Sequence, residues 1–421
     1  MQYSTFAAID IGSYDAILEI FEISKKQGIR SVDKICHRME LGKDTHTLGK
    51  IRPEMEEELC RVLADFVRIM EGYRVDAYRA MASSAISEAA NSLYVLGKIR
   101  QLTGLSVTVL SNSEQRFLGY KALAAMEDNF NKIIEKGTAI LDLDGGSFQI
   151  SLFDKDALVT TQNIRMGSLR IRERLAGIQS ETEHYEEMVE ELIWNEVSSF
   201  KKMYLKDRKI ENIMLIGDVF TDSVYQNIEE KTTKIISREN FNTWYEKIIR
   251  QSPMELAVKL GIPLENASLM YPSAVIYKCL IDMMGAEHIW IPGVHMTRGI
   301  AYEYAEQMKL LKGGHNFEND ILMAAKNIGK RYAVNRPHVQ NLEMTALAMF
   351  DATKKMHGMK ERERLLLQMA VMLHDVGKYI SFNNVADSSY NIIMSNEIIG
   401  LSHIEREMVA LIAKYNTAVL P

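Results

Sequence analysis

The sequence predicts an α/β protein made of two similar lobes, followed by an all-α domain. Three observations carry this. A strand–acid–Gly–Ser–strand unit occurs twice, at residues 6–23 and 139–154, about 130 residues apart. Apolar strands alternate with amphipathic helices as far as about residue 311. From residue 320 to 418 only helical periodicity remains. The expected division is a first lobe over 1–125, a second over 126–312 and a helical domain over 315–421.

The duplicated unit is clearest in its second copy, AILDLDGGSFQISLFD at 139–154. An apolar run ends in Asp142. Gly145 and Gly146 turn the chain, and Ser147 opens an alternating strand. Gly and Ser here let backbone N–H groups approach an anion closely. Carboxylates beside them can hold a divalent cation near that anion. A tight Gly-Gly hairpin looks the same, so the earlier copy matters. Residues 6–23 read FAAIDIGSYDAILEIFEI, with Asp10, Gly12 and Ser13 in the matching places. Two such units suggest duplicated halves facing one cleft.

The 421 residues suffice for two to four domains. An apolar fraction of 47% with 25% charged residues excludes a fibrous or disordered chain. A net charge of −6 argues against a general nucleic-acid coat. The cysteines, Cys36, Cys60 and Cys279, are dispersed and fit reduced thiols rather than a disulfide framework. No leader pattern and no apolar stretch of membrane length is visible, so a soluble cytoplasmic protein is expected, without membrane or nucleic-acid partners. The 25 methionines read as core filler.

In chain order, residues 53–74 carry helical periodicity through Met55, Leu59, Val62, Leu63, Phe66 and Met70. A strand over 76–81 leads to a helix start at 82–89. Ser83 or Ser84 can cap that helix, and its open N–H groups suit an anion. A strand over 105–110 precedes a helix over 117–126. Glu114 sits at its first turn, where an acid either matches the helix dipole or projects into a cleft. The second half adds a long acidic helix over 181–205, a strand over 213–216, helices over 241–250, 253–260 and 272–284, and a strand over 288–291. A turn at Gly299 leads into a final helix over 300–311. His184, among glutamates, reads as a solvated residue. Residues 312–315, KGGH, form the clearest linker.

Taken together, these stretches resemble the exopolyphosphatase/guanosine pentaphosphate phosphatase (Ppx/GppA) family. That family is a branch of the actin-like (ASKHA, ribonuclease H-like) superfold, whose ATPases place two phosphate loops around one nucleotide. AAIDIGS at 7–13 resembles the first phosphate loop. ASSAISEA at 82–89 resembles A-T-S-A-x-R-E-A, and LSNSEQR at 110–116 resembles I-S-G-x-E-E-A. LDLDGGSFQ at 141–149 resembles D-I-G-G-G-S-T-E, and RMGSLRIRERL at 165–175 resembles L-G-x-V-R-x-x-E. The resemblance implies that Glu114 is the general base activating water and that Asp142 positions water or metal. Gly12, Ser13, Gly145, Gly146, Ser147, Ser83, Ser84 and Arg170 would hold phosphate. It implies Mg²⁺ (or Mn²⁺), for which Asp10, Asp142 and Asp144 are the expected ligands, and no organic cofactor. Expected ligands are inorganic polyphosphate or a guanosine polyphosphate such as pppGpp, with a homodimer left open.

Several positions depart from the family pattern. Tyr14, Ser87, Asp144 and Gln149 replace Asn, Arg, Gly and Glu. Losing an Arg removes a bidentate phosphate contact, and Gln for Glu removes a charge that binds Mg²⁺. Asp144, two residues from Asp142 and so on the same strand face, is expected to supply the carboxylate that Gln149 lost. These changes favour either a retuned phosphohydrolase or a binding module that senses the same ligands.

In the helical part, His374-Asp375 after a long apolar helix resembles the HD phosphohydrolase signature. His338, His374 and Asp375 are suitable metal-ligand types. Where relatives carry further histidines this chain has residues 384–388, NVADS, and Asn416. A remnant site with no metal or a single metal is expected there.

Overall fold

In the computed structural model, residues 4–126, 130–175, 185–227, 235–311 and 315–416 are described. His184 and most of the expected linker lie outside them. The chain forms two compact units, one of residues 1–156 with 162–315, the other of 157–161 with 316–421. No helix among the described residues is long and apolar enough to cross a membrane.

The first unit holds two sheets. The first runs in the order Gly28–Arg38, Asp15–Ser24, Ser4–Ile11, Ala77–Ala82, Val107–Val109. Three antiparallel strands thus continue into two parallel ones. The central strand is apolar from Phe6 to Ile9, where both its faces are covered. Ala7, Ile9 and Ile11 pack with Leu59, Leu63 and Phe66 of the helix Pro53–Gly72. Phe6 and Ala8 pack on the other face with Ile300, Ala301 and Ala305. Gly28–Arg38 was not expected as a strand. It is an edge strand with a largely charged, exposed face, so it shows little apolar alternation.

Of the second sheet the first unit holds, in order, Ile235–Ser237, His288–Trp290, Asn212–Gly217, Thr138–Leu143 and Phe148–Asp154. Beside it the helix Leu264–Met284 passes through buried Pro272. The helix expected over 272–284 thus begins earlier, at Leu264. Here packing tolerates Pro272 inside. The last helix of this unit, Met296–Gln307, starts before Gly299 rather than after a turn there. Chain order groups this helix with the second lobe, yet its apolar face covers the first sheet. Phe6 and Tyr304 stack with ring centroids 4.2 Å apart. A Cβ on Gly299 would lie 2.2 Å from the Leu118 carbonyl oxygen, so glycine is what lets this helix meet Asn112–Met126.

The second unit is helical, as expected. Its main helices are Phe317–Arg331, Arg336–Ala352, Glu361–Leu373, Val385–Ser395 and His403–Tyr415. Ile321, Ala325, Met369, Leu373, Ile393 and Val409 are buried among them.

Candidate functional site

The two Gly-Ser turns meet. In the first, the Gly12 N–H donates to Asp15 O at 2.8 Å and closes the hairpin after Asp10. In the second, the chain turns after Leu143. A Cβ on Gly145 would lie 3.5 Å from Ser13 Cβ, and one on Gly146 would lie 3.2 Å from Ser84 Oγ. Ser13 and Ser84 hydroxyls are 3.5 Å apart. The expected phosphate-loop residues of both halves, with Ser83 and Ser84, therefore sit at one junction. Beside it opens a cleft of about 160 Å³ lined by Asp10, Gly12, Ser13, Gln115, Asp142 and Gly145, among others. Arg170 braces the junction. Its Nε donates to Gly146 O at 3.0 Å, and its Nη2 reaches His46 Nδ1 at 3.1 Å and Glu88 at 3.3 Å.

Asp142 and Asp144 are held differently from the expectation. Arg116, 2% exposed, places Nη1 2.6 Å from Asp142 Oδ1 and Nη2 3.2 Å from Asp144 Oδ2. A buried guanidinium thus balances both acids. Burial still pushes the Asp142 carboxyl up, to about 6, against the pull of Arg116. The strand ends at Leu143, so Asp144 stands in the turn and not on the strand face. Its Oδ1 accepts the Gly146 N–H at 2.6 Å and the Ser147 N–H at 3.4 Å. Among the described residues, Asp10, Asp142 and Asp144 do not form a compact three-ligand group.

Asp10 is one of the cleft carboxylates whose chemistry fits Mg²⁺. It faces the cleft, and burial, then Asp15 and Asp144, push its carboxyl up to about 8. A nearby divalent cation relieves that penalty, and Mg²⁺ needs only one or two carboxylates when phosphate oxygens and water complete its shell.

Glu114 turns back toward Ser111. Its carboxylate accepts from Ser111 N at 2.9 Å and Ser111 Oγ at 2.8 Å, while its own N–H donates to Ser111 Oγ at 3.3 Å. That is a reciprocal helix cap, and the helix begins at Asn112 rather than Phe117. The next two side chains, Gln115 and Arg116, line the cleft. Gln149 does not line it. Fully buried, it donates to Tyr120 Oη at 2.9 Å. Ser87 ends a four-residue helix, its hydroxyl near Ser84 O at 3.4 Å.

The sequence reading missed His46 and assigned no role to Arg116. Arginine only donates, so His46 Nδ1 accepts from Arg170 and Nε2 carries the hydrogen. That Nε2 is buried without a partner. Burial, then Arg170, push the imidazole pKa down, which keeps the ring neutral near pH 7.

In the second unit, His338, His374 and Asp375 come together, with ligand atoms within 4.8 Å of one another. His374 Nδ1 donates to Val371 O at 2.7 Å, which leaves Nε2 as the coordinating nitrogen, 3.3 Å from Asp375 Oδ1. Lys378 Nζ lies 2.7 Å from Asp375 Oδ2. His338, Asp375 and Lys378 border a cavity of about 520 Å³ with Tyr332, Asn335 and Phe382.

Two mixed sheets, each giving a Gly-Ser turn to one cleft, define the actin-like class. Within it the chain belongs to the Ppx/GppA phosphatase family, whose pattern matches residues 20–308; the pattern of Ppx/GppA phosphatase domain III matches residues 322–420. A guanosine-5'-triphosphate,3'-diphosphate pyrophosphatase of Photobacterium profundum is 19% identical over 412 residues, 96% of this chain and 79% of the relative. A bifunctional 3-dehydroquinate synthase/phosphatase of Fusobacterium nucleatum is 21% identical over 67% of this chain, which spans only 44% of that protein. Among solved structures, an exopolyphosphatase from Cytophaga hutchinsonii superposes with TM-score 0.64 at 16% identity, covering 72% of this chain and 98% of the other. The Ppx/GppA family member of Aquifex aeolicus gives 0.59 at 17% identity, covering 73% and 99%. At these identities the structural likeness speaks to fold.

Proposed function

We propose that the cleft of the first unit binds the terminal phosphate of inorganic polyphosphate or a guanosine polyphosphate and releases it by attack of water. The observation that carries this reading is the meeting of the two Gly-Ser turns beside Asp10 and Asp142. The hydroxyls of Ser13 and Ser84, with the Gly146 and Ser147 N–H groups once Asp144 releases them, offer donors to phosphoryl oxygens. Mg²⁺, held by Asp10, would neutralise phosphate charge. Asp142 takes the base role in place of the capped Glu114. Its carboxyl lines the cleft and, at about 6, lies near the range where a general base works at neutral pH. Arg116 holds the carboxylate in place and offsets its charge.

A second reading, binding without turnover, rests on Gln115. The family stretch has two adjacent glutamates; here the first caps a helix and the second, facing the cleft, is an amide.

The deciding assay offers purified protein with Mg²⁺ polyphosphate, pppGpp and ATP in parallel, and measures phosphate released. Release from polyphosphate or pppGpp is expected, with Asp142→Asn lowering it about a hundredfold while ligand still binds. Unchanged release in that variant would remove Asp142 from the base role. Binding with no release by the wild type would establish the second reading.

A further inference from the structure

The second Gly-Ser turn already holds an anion, and that anion is part of the chain. Asp144 Oδ1 takes the Gly146 and Ser147 N–H groups. These are donors that the proposed function assigns to a phosphoryl oxygen. The other carboxylate oxygen rests on Arg116 at 3.2 Å, with Gln115 Nε2 at 3.5 Å. Asp144 is therefore fixed from both sides. Its backbone is fixed too. Asp144 O accepts from Ser168 N at 3.2 Å, and a Cβ on Gly167 would lie 2.3 Å from that oxygen.

We propose that Asp144 is a specificity-determining residue that competes with the ligand's phosphate for the second turn. The inference rests on the phosphate-binding reading of this cleft. A tethered carboxylate competes at high effective concentration and repels an incoming anion. It favours ligands with enough additional phosphate contacts, or enough bound Mg²⁺, to displace it. Displacement strands no charge, because Asp144 Oδ2 keeps Arg116 as a partner.

A second observation at the same junction points to an external anion. The His46 N–H at Nε2 is buried and has no acceptor. It lies where a Cβ on Gly146 would come within 3.1 Å of it. Asp144 satisfies the turn's own donors and leaves this one unmet. A buried N–H without an acceptor is costly, and a phosphoryl oxygen entering beside Gly146 would satisfy it.

The test is calorimetric titration of the full chain with inorganic tripolyphosphate and Mg²⁺, for wild type, Asp144→Gly and Asp144→Asn. Asp144→Gly should tighten binding about tenfold or more, the scale of one charge-assisted contact. Asp144→Asn, whose amide oxygen still accepts from Gly146 but carries no charge, should fall between. It also decides the matter if the glycine variant does not fold. Equal or weaker binding by the folded variants, beside a wild type that binds, overturns the competitor role and leaves the phosphate reading standing. No binding by any of the three overturns the phosphate reading, and the competitor role with it.

Discussion

Burial, with Asp15 and Asp144 nearby, pushes the Asp10 carboxyl from an ordinary 3.8 to about 8. Between those values the folded chain keeps a proton that the unfolded chain has released. The contribution of Asp10 to stability is therefore fullest below about pH 4 and is lost as pH rises through about 8. Denaturant titrations without divalent cation should show that decline, and Asp10→Asn should flatten it. Adding Mg²⁺ should protect the wild type most at the alkaline end, where the carboxylate is ionised. An identical pH profile in wild type and variant would mean that Asp10 is well solvated. Gln149 shows the opposite use of a polar group. With its amide against Tyr120 in the core, a glutamate there would place a charge far from the cleft solvent, so the amide belongs to packing.

At the scale of elements, the helix Asn112–Met126 divides its first turn between structure and site. Glu114 closes the cap on Ser111, and the next two residues turn toward the cleft. The same helix is pinned from behind by Met296–Gln307. Gly299 sits at the crossing, with space for no side chain above Leu118 O. Gly299→Ala should cost about 2–3 kcal/mol through overpacking, read as a lower denaturant midpoint. Gly72→Ala, at a helical glycine with nothing within 4 Å of an added Cβ, is the comparison and should not destabilise. Equal effects would mean that the crossing relaxes without strain.

For the molecule as a whole, the two units present different ligand chemistry. The first offers oxygen ligands around a cleft whose lining includes Asp10, Asp15, Asp142, Asp144, Asp218 and Asp222. The second offers two imidazoles and a carboxylate, a set suited to zinc-like ions. Excess Mg²⁺ should occupy the first and leave the second available. Under that condition added Zn²⁺ should raise the melting temperature of the full chain by preferential binding to the folded state. His374→Ala should abolish the rise. A rise that survives in that variant would place the zinc elsewhere.

The sequence by itself determined the duplicated turns, most strand and helix positions, and the helical second unit. Those features are written in local spacing. Apolar period and glycine turns depend on neighbours in the chain. Only the tertiary structure decided how the charges pair. Arg116 follows Glu114 by two positions, and nothing local says that it meets Asp142 and Asp144 from another sheet. His46 lies on a short helix that reads as ordinary surface until Arg170 fixes its tautomer from 124 positions away. Alternation put Asp144 on the face of Asp142, but the strand stops one residue earlier and the carboxylate folds back onto its own turn. Hydrogen bonds and ion pairs between distant segments depend on where those segments meet in three dimensions, and residue spacing along one segment does not encode that meeting.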